Sequence, residues 1–107
     1  MPDAENAFAA PRKFTHYLLS ETHPTGRAKA RVFRSVGYDQ TNWEELRDAI
    51  LAQLPHVEGR FRRSTPGGGD LYEAPMRIVG PKGTLDVQTI WNVHRAAGTS
   101  FVTAYPL

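Results

Sequence analysis

Few residues in this chain could do acid–base or phosphate chemistry, and they fall in two places. His23 stands in Glu21-Thr-His-Pro-Thr-Gly26, directly before the cation-rich run Arg27-Ala-Lys-Ala-Arg31. Histidine ordinarily titrates near neutrality, which makes His23 a candidate general base or acid. Near the other end, Phe101-Val-Thr-Ala-Tyr105 sets Thr103 and Tyr105 two residues apart, on one face of an extended segment. Paired hydroxyls on such a face can donate to phosphate oxygens. Trp91 offers an aromatic surface on which a base could stack. Each residue has a plainer alternative. His23 could cap a helix or simply lie at the surface, Trp91 could be core, and Tyr105 could anchor the end of the chain.

The rest of the sequence narrows the chemistry. There is no cysteine, which excludes disulfides, thiolate zinc sites and a cysteine nucleophile. The four histidines are scattered with no metal-pair spacing, and no Walker loop or dinucleotide fingerprint is present. No metal or cofactor is expected. Gly67-Gly-Gly69 lies between extended segments rather than before a helix, so it reads as a turn and not a phosphate cradle. No apolar run approaches the ~18 residues of a membrane span, and the opening residues lack the pattern of a secretory signal. A cytoplasmic protein with no membrane partner is expected.

The elements that must position these residues follow from periodicity. The 107 residues suit one domain, with residues 1–11 as a flexible leader and 12–107 as a single α+β unit. Lys13 to Leu19 predicts a short helix. A second helix runs from Thr25 or Gly26 to Gly37, with Val32, Phe33 and Val36 on its apolar face. Lys29 falls on that same face, one turn before Phe33, where a cation is costly unless it is paired or snorkels out. Thr41-Asn-Trp-Glu44 has capping-box spacing and opens a third helix, Trp43 to Leu54, closed by Pro55. Beyond it the period changes to two. Strands are predicted at Val57–Arg63, Leu71–Val79, Leu85–Val93 and Phe101–Tyr105, joined by short turns and therefore antiparallel. Pro75 points to an edge or a bulge in the second strand. In the last strand, Val102 and Ala104 are expected on the core face. The fold class is α+β: two to three N-terminal helices packed on a C-terminal antiparallel sheet of about four strands.

Charge is uneven despite a net charge of +2. Between Pro11 and Tyr38, Arg12, Lys13, Arg27, Lys29, Arg31 and Arg34 stand against Glu21 alone. A basic helix of this kind is compatible with a phosphate-bearing partner, and equally with a solvated surface.

Two segments carry a family resemblance. Lys13-Phe-Thr-His-Tyr-Leu-Leu-Ser-Glu-Thr-His-Pro-Thr-Gly-Arg-Ala-Lys-Ala-Arg-Val-Phe33 resembles the opening of a bacterial toxin-like family, which reads Lys-x-x-x-Tyr-Leu-Leu and then His-Pro-x-Gly-x-x-Lys-Ala-x-x-Phe. The closing Trp-bearing strand with Val102-Thr-Ala-Tyr-Pro106 resembles the same family's end. The resemblance spans about Lys13 to Pro106. It implies the barnase–EndoU–colicin–RelE-like nuclease fold of toxin–antitoxin and polymorphic-toxin loci.

The implied activity is that of a ribonuclease toxin, a metal-independent endonuclease cleaving RNA, with tRNA the expected substrate. The ribose 2′-OH attacks the adjacent phosphate, leaving a 2′,3′-cyclic phosphate and a 5′-OH. By position His23 is then general base or acid, and Lys29 stabilises the phosphorane-like transition state. Thr103 orients the phosphate, Tyr105 is a second donor, and Arg27 and Arg62 are phosphate contacts. No second active-site histidine is obvious, with His94 and His16 as the available candidates. The resemblance further implies an acidic neutralising partner, an antitoxin or immunity protein, set against the basic helix. The competing expectation is a non-catalytic RNA- or protein-binding module from the same kind of locus. The third, a neutralising partner itself, fits the basic helix least.

Overall fold

The helical period of the first half and the alternation of the second become two layers in the computed structural model, which describes residues 1–107. Pro11–Lys13 is a single α-helical turn that widens into a π-helical stretch, Phe14–Leu18, and the two together form α1. Pro11 opens it, where a missing N–H costs nothing. The wider turn is closed by the Leu19 N–H on the Phe14 carbonyl at 2.8 Å. It lets Phe14, Leu18 and Leu19 all face the core while Tyr17 stays half-buried. Wide turns of this type recur at functional sites.

Helix α2 is Gly26–Ser35, and α3 is Trp43–Gln53, followed by a 3₁₀ turn at Leu54–His56. The chain leaves α2 through Gly37 at φ 100°, a left-handed conformation that favours glycine. The capping box expected at Thr41 does not form. Asn42 occupies the N-cap position, and its side chain serves the preceding turn, accepting from the Asp39 N–H and donating to the Gly37 carbonyl. Thr41 also turns back, to the Asp39 carboxylate. A nearby acceptor in the turn has outcompeted the helix end for both side chains.

Four strands, β1 (Arg60–Ser64), β2 (Gly69–Gly80), β3 (Gly83–His94) and β4 (Gly98–Pro106), make one antiparallel sheet in sequence order. The architecture is α+β, helices first and sheet second, as the periodicity predicts. The start expected for β1 at Val57 is late by three residues, because Pro55 draws the chain into the 3₁₀ turn first. Pro75 sits in β2 beyond the last residue paired with β1, so that side of β2 has no ladder bond for it to break.

One face of the sheet carries Ala74, Met76, Ile78, Val87, Trp91, Phe101 and Ala104 into the core. There Phe14 stacks on Phe101 at 5.2 Å, Phe101 meets Trp91 edge to face at 5.3 Å, and Phe14 also stacks near Trp43. These contacts lock α1 against β4. A β-bulge in β4 splits the expected core face of that strand: Ala104 faces the core as expected, but Phe101 does so in place of Val102. Trp91 pairs with Phe101 but Ile90 pairs with Thr103, leaving Val102 as the extra residue. Phe101 and Ala104 therefore point inward, and Val102 is only half-buried.

Residues 1–11 run along the sheet. Phe8 exchanges backbone hydrogen bonds with Thr99 and Phe101, Ala9 is buried, and the Thr99 hydroxyl donates to the Pro2 carbonyl. No helix is long and apolar enough to cross a membrane.

Candidate functional site

Helix α2 lies beside β4 with its first turn pressed on α1. A side chain on Gly26 would collide with the Tyr17 carbonyl oxygen, so only glycine permits this approach. The contact brings four side chains together. The Lys29 ammonium donates to the Tyr17 hydroxyl at 2.7 Å and to Thr103 Oγ1 at 2.9 Å, and sits 4.8 Å from the Tyr17 ring centre. The His23 ring meets the Tyr17 ring edge to face at 4.9 Å. The lysine that looked misplaced on the apolar face of α2 is thus half-buried and paired, which resolves its desolvation cost. Two of its three protons are used within the chain, and the third is available to a ligand.

His23 has a defined role. Its Nδ1 accepts the backbone N–H groups of Thr25 at 3.1 Å and Gly26 at 3.0 Å, at the start of α2. The capping alternative is therefore realised. With the Nδ1 lone pair occupied, the ring carries its proton on Nε2 and presents an N–H donor rather than a base. Neutral histidines at helix N-termini serve elsewhere as electrophilic donors in this way. Of the two roles expected for His23, general base or general acid, this hydrogen bonding leaves that of a donor.

Tyr17 is the residue that sequence reasoning missed as a site member. Burial raises its pKa, but hydrogen bonding with Lys29 and Thr103 and the charges of Lys29 and Lys13 outweigh it, so the phenol is held below its ordinary value. A signal was present: a tyrosine at an apolar helical position needs a partner for its hydroxyl, and Lys29 needs an acceptor. Each residue's unmet requirement matches the other's.

The remaining candidates divide. Tyr105 is half-buried and shares the outward face of β4 with Thr103, paired to Gln88 on β3, but the Lys29 hydrogen bonds go to Tyr17 and Thr103 instead. Arg27 is exposed in the first turn of α2, close in sequence to the His23 cap. Arg62 is not brought to the site. It lies in β1, the opposite edge of the sheet from β4, about three strand spacings or ~14 Å away. Trp91 is fully buried, with its indole N–H donated to Thr89 Oγ1 at 2.7 Å, so it is core and no stacking platform. Neither spare histidine joins the cluster. His94 caps the β3–β4 turn through the N–H groups of Ala96 and Ala97, and His16 pairs with Thr15.

The chain matches one family model over its entire length, residues 1–107. It belongs to the family described as a domain of unknown function, DUF6883. No curated protein matches it, and no solved structure does. Within this DUF6883 domain the cluster offers a cation, a hydroxyl, a phenol of lowered pKa and an N–H donor. That set can bind an oxyanion and move a proton beside it.

Proposed function

We propose that this domain is a ribonuclease-type toxin that cleaves RNA, with tRNA as substrate, by metal-independent attack of the 2′-OH on the adjacent phosphate. The observation that carries the proposal is the convergence of Lys29 on Tyr17 and Thr103 beside His23. Lys29 and Thr103 hold the non-bridging phosphate oxygens as negative charge develops on them. Tyr17, whose deprotonated form is favoured by Lys29 and Thr103, takes the 2′-OH proton when it is ionised. The His23 Nε2–H donates to the departing 5′-oxygen, which then takes a proton from solvent, while Tyr17 returns its own to solvent. Tyr105 and Arg27 contact the strand on either side. The family resemblance in the segments Lys13–Phe33 and Val102–Pro106 supports the same reading, as does the basic surface of α2. An acidic antitoxin or immunity protein covering that surface completes it.

Purified wild-type chain and the variants Tyr17→Phe and Lys29→Ala, assayed on total tRNA, test the proposal. Each variant is expected to lose about two to four decades of rate while its circular dichroism is unchanged. Wild-type rates in both variants would reject the site.

One observation favours a second reading, a binding-only module: His23 and Lys29 both already have partners within the chain. RNA binding lost in Lys29→Ala, with no cleavage by any form of the chain, would select it.

A further inference from the structure

The two edges of the sheet differ. At the β4 edge, Phe8 exchanges backbone hydrogen bonds with Thr99 and Phe101, and α2 lies alongside. At the other edge, β1 pairs with β2 alone, and every one of its residues is exposed. Its far side therefore presents unpaired backbone donors and acceptors, the template onto which a further strand adds.

The side chains along this edge divide by face. Arg60 pairs with Glu73 and Arg63 with Leu71, and a bulge between Phe61 and Arg63 leaves Arg62 as the extra residue. Glu73 and Leu71 alternate with the core-facing Ala74, so they and the paired Arg60 and Arg63 stand on the face away from the helices. Phe61 pairs with Tyr72, which pairs with the core-facing Trp91, so Phe61 stands on the helix side. There it is 53% exposed, and its ring meets the Tyr72 ring edge to face at 5.9 Å. Arg62 and Arg63 have no ion-pair partner, and Arg60 has only Glu73, at 3.9 Å. Like charges and a bulge deter pairing with a second copy of the same edge. They do not account for Phe61. An exposed aromatic ring is of no use in such a guard, whereas an incoming strand with apolar side chains on one face would cover it.

We propose that β1 is a docking edge for an extended acidic segment of a partner protein, which joins the four strands as a fifth. Backbone hydrogen bonds along β1 hold the segment. Its carboxylates lie against Arg60 and Arg63 on one face, and its apolar side chains against Phe61 and Tyr72 on the other. The segment it selects therefore alternates acidic and apolar residues. This inference is independent of the ribonuclease reading, because β1 is at the opposite edge of the sheet from Thr103 and Lys29.

Titration of the full chain with a strand-length peptide of alternating glutamate and valine, followed by amide NMR, tests the proposal. The peptide is expected to shift the Arg60–Ser64 amides and to bind at least about tenfold more tightly than its lysine–valine counterpart. A peptide of the same composition with its glutamates in one block should bind about tenfold more weakly. Of two peptides N-methylated at odd or at even positions, one should lose binding, because an added strand uses the N–H groups of one side only. Arg60→Glu combined with Arg63→Glu should turn the preference toward the lysine peptide, and Phe61→Ser should weaken binding with circular dichroism unchanged. Absence of shifts in β1, equal affinity for acidic and basic peptides, or undiminished binding of both methylated peptides would overturn the proposal. So would a dimer formed through β1 in sedimentation, or an RNA oligonucleotide that displaces the peptide from β1, which would assign the arginines to phosphates.

Discussion

At the scale of the residue, His23 shows how a structural role constrains a chemical one. Its Nδ1 caps α2, so removing the ring removes both a cap and an N–H donor. His23→Ala is expected to cost about 0.5–2 kcal/mol of stability in urea unfolding, together with the activity. His23→Asp restores an acceptor for the cap but supplies no donor. It should recover the stability and leave the activity lost, whereas recovery of both would assign His23 to capping alone. Tyr17 has a pH signature. Its pKa is lower in the folded chain than the ordinary value of 10.0, burial being outweighed by Lys29 and Thr103. The group therefore adds stability above the unfolded tyrosine value, and that stability is lost as pH falls through the folded value. The stability difference between wild type and Tyr17→Phe should widen as pH rises toward and past 10; a constant difference would deny the shift. Histidine and lysine were visible in the sequence because their types are conspicuous. Tyr17 was hidden because a tyrosine at apolar helical spacing looks like core until its hydroxyl partner, twelve residues away, is known.

At the scale of the element, the site depends on the close approach of α1 and α2. Gly26→Ala would force a Cβ onto the Tyr17 carbonyl and push the helices apart. It is expected to destabilise by about 1–3 kcal/mol and to separate Lys29 from Tyr17, with activity falling in step. Gly67→Ala, in a turn with nothing within 4 Å of the added carbon, should leave thermal stability nearly unchanged and serves as its control. Strand and helix order could be read from the sequence because both periods are strong, as in the Leu85–Val93 alternation that becomes β3. Two local features could not. The β4 bulge changes which side chains face the core without altering composition, since Val102 is as apolar as the Phe101 that takes its expected place. The Thr41–Glu44 spacing satisfied a capping box, but the Asp39 turn offered its side chains a nearer partner.

At the scale of the whole molecule, the cations gather at the edge of the sheet where α2 lies beside β4. The start of α2 brings them and the Tyr17–Lys29–Thr103 contacts together there. An RNA strand crossing β4 would lay a phosphate on Lys29. The sum of charge, near neutral over the chain, concealed this arrangement, because the acidic segment Asp39–Asp48 lies in α3 and the turn before it, apart from the basic helix. Binding to tRNA should weaken as salt rises, and the slope should be shallower by about one phosphate contact in Lys29→Ala; an unchanged slope would place Lys29 outside the contact. The most direct measurement is analysis of the RNA ends left when purified chain is incubated with tRNA in the presence of EDTA. The account predicts 2′,3′-cyclic phosphate and 5′-OH ends from the wild type, and none above background from Tyr17→Phe or Lys29→Ala. Intact tRNA, 5′-phosphate ends, cleavage abolished by EDTA, or undiminished cleavage by both variants would contradict it.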